Sequence, residues 1–108
     1  MATTAKRFAQ ALIATAVTTH YIVPAATTAI LKDVAIANTL TTSFAPRLHL
    51  VASGFAASSA NMLTANLTIA GNFQFHDLYF QVMNAGDTLQ SIANSAQGTL
   101  HASGVEIT

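Results

Sequence analysis

The side chains best equipped for chemistry in this chain are four histidines, four carboxylates and many hydroxyls. His20, His49, His76 and His101 are the metal suspects, because imidazole is a common ligand for transition metals. No two of them stand two residues apart, and no carboxylate completes a known ligand spacing. His76 and Asp77 are adjacent, so they point to opposite faces of any strand. Solvated or interface histidines are the expectation. Serine and threonine abound, yet no Gly-x-Ser-x-Gly elbow occurs, and a carboxylate pair for glycoside chemistry would need two of only four acidic residues. Asp87 follows a turn glycine, where an aspartate commonly bonds its own loop backbone. No glycine-rich phosphate loop is present, and Asn66-Leu67-Thr68 matches the glycosylation triplet by chance in a chain without a secretory route. We expect no catalytic, cofactor or metal site, and no enzyme.

The totals narrow the classes further. A chain of 108 residues forms one domain, residues 1–108, able to bury roughly two thirds of its unfolded surface. Cysteine is absent, which excludes disulfides, thiolate metal sites and cysteine nucleophiles. Only 7% of residues are charged, where a soluble domain typically carries about 25%. Lys6, Arg7, Lys32 and Arg47 balance Asp33, Asp77, Asp87 and Glu106 to a net charge of zero. A solitary protein usually mixes many charges over its surface, so this chain is expected to have companions covering much of it. Zero net charge also argues against nucleic acid, which needs a basic patch. No apolar run reaches the length of about 18 residues that spans a membrane. Lys6-Arg7 followed by Phe8 to Val17 resembles a short secretory signal, but Gln10 interrupts it; we expect an unprocessed chain made in a cytoplasm.

The elements that must position these residues are strands. The central stretch runs from Ala29 to Val51. Ile30, Val34 and Ile36 share a parity within the first half, and Phe44, Leu48 and Leu50 share one within the second, with Arg47 and His49 opposed. Asn38 to Ser43 is a polar break between these two strands, expected to pair. Lys32 falls on the core parity, which predicts a snorkelling stem or a bulge. Pro46 cannot donate to a ladder and predicts an edge or a bulge. Residues 1–7 read as an arm. Phe8 to Ala14 fits a helix by the Phe8/Leu12 spacing or a strand by alternation, and the β neighbourhood favours a strand. Thr18 to Val23 is a strand stopped by Pro24. Phe55, in a loop of small residues, is expected to plug a barrel end. Leu63, Ala65, Leu67 and Ile69 alternate most cleanly of all. Phe73 and Phe75 point one way and Leu78/Phe80/Val82 lie on the opposite parity, which a bulge or kink near His76-Asp77 would reconcile. Asn84 to Asp87 turns the chain into a strand over Leu89 to Ala93, and Gly104 reads as a bulge in the last strand. About eight antiparallel strands at spacings near ten residues predict an all-β, β-sandwich or jelly-roll-like domain with an N-terminal arm.

Several of these segments carry a resemblance. Tyr21-Ile-Val-Pro-Ala, Ala29-Ile-Leu-Lys-Asp-Val-Ala-Ile-Ala-Asn-Thr, Leu48-His-Leu-Val-Ala-Ser-Gly, Ala85-Gly-Asp-Thr and Ser103-Gly-Val-Glu together resemble a group of small tailed-bacteriophage structural proteins. The similarity spans roughly residues 8 to 108. The chain departs from that pattern at Ile22, where the group has Thr, and at Ala26, where glycine is usual. The resemblance implies a β-sandwich building block of the virion: a capsid decoration or cement subunit, often a trimer, bound to a major capsid protein, or else a collar, tail or fibre module. Met1 to Leu12 and Val105 to Thr108 would be the arms that reach a neighbour. A carbohydrate-binding jelly roll would instead need exposed aromatics on one face, from Tyr21, Phe55, Tyr79 and Phe80.

Overall fold

Period-two alternation resolves into seven strands among the residues described, 2–64 and 67–108, in a computed structural model. They are β1 (Thr3–Ile13), β2 (Thr18–Ile22), β3 (Thr28–Asn38), β4 (Pro46–Val51), β5 (Gln74–Met83), β6 (Thr88–Ala93) and β7 (Gly98–Ile107). One sheet has the order β1-β7-β3-β5, the other β2-β6-β4, and every pairing is antiparallel. This is the expected all-β sandwich, with seven strands rather than eight. Phe8 to Ile13 is strand, which closes the helix alternative.

The missing strand is the segment that alternates best. Met62 to Thr64 lie beside β4, through an isolated bridge from Met62 to His49 and a hydrogen bond from the Leu63 N–H to the Leu48 carbonyl, and Ile69 bridges Phe44 just before that strand. At Thr64 the Leu48 N–H donates to the side-chain hydroxyl at 3.1 Å instead of to a backbone carbonyl of this segment. Leu63 and Leu67 still pack against the core, and Ile69 is buried; Ala65 and Asn66, which the strand and glycosylation readings involve, lie outside the described residues. Counting this segment as fifth of eight, the pairs are first with eighth, second with seventh, third with sixth and fourth with fifth. That nesting is the jelly roll.

The topology also separates the two central strands. β3 and β4 belong to different sheets, so Asn38 to Ser43 crosses an end of the sandwich and does not join a paired hairpin. Between the sheets lie Phe8, Ile13, Leu31, Val34, Ile36 and Leu100 from one side and Tyr21, Leu48 and Leu89 from the other, with Phe44 buried at the end near Gly98. β4 is an edge strand and Pro46 is its first residue, the position where a missing donor costs least.

A line of register shifts crosses the four-stranded sheet at one level. It passes Phe8 in β1, Lys32 in β3, and the stretch between Leu78 and Gln81 in β5. The extra residue at Lys32 reverses the parity of β3, so that Ala29 and Leu31 point inward before it and Val34 and Ile36 after it. Ile30 therefore faces outward, against its expected core position. The shift in β5 falls beyond the His76-Asp77 site predicted for it. β7 itself keeps its parity, so Gly104 is not the bulged residue; it is glycine because a Cβ there would lie 1.9 Å from the Ile30 carbonyl oxygen.

Residues 3–7, expected as an arm, are strand: Thr3 to Arg7 pair with Ser103 to Ile107, and Ala2 and Thr108 exchange backbone hydrogen bonds. The segments expected as arms thus pair with each other, Ala2 to Ala5 with Val105 to Thr108. At the turn after Pro24, Ala26 sits at φ +56°, the left-handed region that glycine tolerates best.

Candidate interaction surface

The four histidines are scattered, and no cluster of three or more histidine, cysteine, aspartate or glutamate side chains exists among the described residues. His49 is buried on β4. Its Nδ1–H donates to Asn61 Oδ1 at 2.9 Å, a proton assignment set by Asn61, whose amide donates to the Ala56 carbonyl. His76, outward on β5, bonds the Asp33 carboxylate across the strand pair at 2.6 Å. His101 is exposed on β7. His20 on β2 reaches the Ser91 hydroxyl, and burial pushes its pKa below the ordinary value of 6.5.

That shift has a sign. Above the ordinary value the ring is neutral in both the folded and the unfolded chain. As pH falls through it, the unfolded chain takes the proton first, so stability drops until the lowered folded value is reached. Urea midpoints measured between about pH 7.5 and about pH 5 should fall less for His20→Gln than for the parent chain; equal slopes would remove His20 as the cause.

Asp87 does what its turn position suggests. Its carboxylate accepts from Ser53 N at 3.1 Å and Asn84 N at 2.9 Å, tying two loops together. The aromatics do not form one face. Tyr21 is buried, stacked on Phe8 with ring centroids 4.3 Å apart, and its hydroxyl donates to Glu106. Burial, then the Glu106 bond and charge, raise the Tyr21 pKa. Tyr79 packs against the core, and burial followed by the Asp77 charge raises its pKa too. Phe55, expected as a plug, is exposed in its loop.

What remains is a surface. The outer face of the four-stranded sheet is built in rows: Val82–Ile30–Val105–Ala5 on one side of the register shift, Leu78–Asp33–Ser103–Arg7 on the other. Around the shift a shallow groove of about 590 Å³ is lined by Lys6, Arg7 and Lys32, three of the four cationic residues, together with Asp33 and His101. Lys32 Nζ lies 5.7 Å from the centroid of the Phe80 ring.

The anomaly is β5. It is an edge strand, and its outward row, polar at Gln74 and His76, turns apolar in its second half: Leu78 is 72% exposed, Phe80 68% and Val82 56%, with Phe73 just before the strand at 66%. Edges are normally guarded by lysine, proline or a cover. β5 contains neither lysine nor proline, and its guards are Asp77 and the register shift between Leu78 and Gln81. The sequence carried the signal: Leu78, Phe80 and Val82 do oppose Phe75 in parity, and they do so because they face away from the core. No helix among the described residues is long and apolar enough to cross a membrane. Compared with protein-family models, curated proteins and solved structures, the chain finds no match.

Proposed function

We propose that the chain is a structural subunit of a bacteriophage virion, acting as a capsid decoration or cement protein that is made in the host cytoplasm and assembles on the particle as a homo-oligomer. The observation that carries this reading is the uncovered apolar edge of β5 on a chain with only 7% charged residues. Such an edge invites pairing with another chain, and a surface so poor in charge suits a subunit that spends its life covered. The jelly-roll order and the segments resembling small tailed-phage structural proteins support the same reading. In mechanism the subunit bridges neighbouring shell proteins, adding buried apolar area and edge-strand hydrogen bonds that hold the shell against internal pressure.

Two measurements test it. Copy number per particle, read from gels, is in the hundreds for a decoration protein and a few to a few dozen for a tail, collar or fibre module. Leu78→Lys with Phe80→Lys should leave folding stability within about 1 kcal/mol, since both side chains already face solvent. The same variant should lower particle occupancy by roughly tenfold or more. A chain that never co-purifies with particles overturns the reading.

A further inference from the structure

We propose that β5 of one copy pairs with β1 of the next, so that the four-stranded sheet repeats head to tail. This deepens the reading of the chain as an assembly subunit and rests on it for its purpose, not for its geometry. β1 and β5 are the two edges of the same sheet, with 11 and 10 residues. The sheet has an even number of strands, all neighbours antiparallel, so β1 and β5 run in opposite directions. A second copy set beside the first therefore continues the alternation without a reversal.

Charge selects this partner over the alternatives. β1 carries Lys6 and Arg7 and no acid, while β5 carries Asp77 and no lysine or arginine. Pairing β1 with itself would bring four cations together, and pairing β5 with itself would place two Asp77 carboxylates on one ribbon with no cation to offset them. Pairing β5 with β1 joins opposite signs. In level register the row Leu78–Asp33–Ser103–Arg7 continues into the next copy, which sets its Arg7 beside Leu78, on the sheet face opposite to Asp77. The aliphatic stem of Arg7 then covers Leu78. The adjacent row sets Val82 against the next copy's Ala5, apolar on apolar. Such a contact is heterologous, using two different patches, and it either closes as a ring or runs on as a fibre.

The absence of cysteine makes the test clean. Directly opposed residues of an antiparallel pair come close enough for a disulfide. Ala5→Cys and Val82→Cys chains, each purified alone and then mixed under mild oxidation, should give a cross-linked pair in the mixture and little in either alone. The doubly substituted chain should give a ladder of oligomers. Val82→Cys linking to itself as well as to Ala5→Cys would overturn the proposal in favour of β5 pairing with itself. No link in the mixture would overturn it too. Because this uses purified chain only, its failure leaves the count of copies on particles untouched, and the two readings fall separately.

Discussion

Replacing Asn38 with alanine should lower folding stability by about 2–4 kcal/mol, a large share of the roughly 5–15 kcal/mol that holds a domain of this size together. Asn38 is the last residue of β3 and is buried. Its amide donates to the carbonyls of Thr42 at 2.7 Å, Ala70 at 3.1 Å and Ile69 at 3.2 Å. Its Oδ1 accepts from Leu40 N and from Gln97 Nε2, both at 3.2 Å. One side chain thus fastens three crossings at the same end of the sandwich: the β3–β4 crossing, the segment after residue 67 and the β6–β7 turn. The three carbonyls keep other donors, Phe44 N for Ile69, Phe73 N for Ala70 and Gln97 for Thr42. The loss is therefore the shared node and the filled space more than a set of orphaned acceptors. Asn38→Asp should be at least as harmful, because it turns a carboxylate oxygen toward carbonyl oxygens in a buried site. Urea unfolding with an unchanged slope would report both; a loss under about 0.5 kcal/mol for Asn38→Ala would remove the node from the account.

Gly98→Ala should cost about 1–3 kcal/mol, and the cost should shrink when Phe44 is made smaller. A Cβ at Gly98 would stand 2.1 Å from Phe44 Cζ and 2.5 Å from Cε2. The Gly98 backbone does not occupy the left-handed region, so the penalty is steric and not conformational. Phe44 is almost wholly buried and joins Ile69 through a two-way backbone bridge, so the ring has nowhere to move. Phe44→Leu alone should cost about 1–2 kcal/mol through the space it leaves. In the double variant the alanine methyl fills part of that space, and the combined loss should fall below the sum of the two by about 1 kcal/mol. Additive losses would show that the two residues do not meet in solution.

The same packing explains where reading the residues succeeds and where it fails. Alternation locates β6 closely, because Leu89 lies on an uninterrupted period-two run; in β4 it turns Leu48 inward but misses that His49, expected on the wet face, is buried too. It misplaces Ile30, because one extra residue at Lys32 reverses the faces of β3, and a bulge is stabilised by the neighbouring strands more than by local preference. It gives a strand parity to Leu63, where nothing local reveals that the neighbouring Thr64 hydroxyl will take the N–H that a ladder requires. The arm assigned to residues 3–7 fails for a related cause, since only contact with β7 turns an exposed polar segment into strand.

Composition and periodicity by themselves determined that this protein is all-β, cysteine-free and nearly uncharged. Those properties follow from residue types and from spacings of two, which survive any arrangement of the strands. Only the tertiary structure decided which strands share a sheet, and therefore that Leu78, Phe80 and Val82 line an open edge instead of a core. Alternation says that a strand has an apolar face; which side of the sheet that face meets depends on partners distant in the chain.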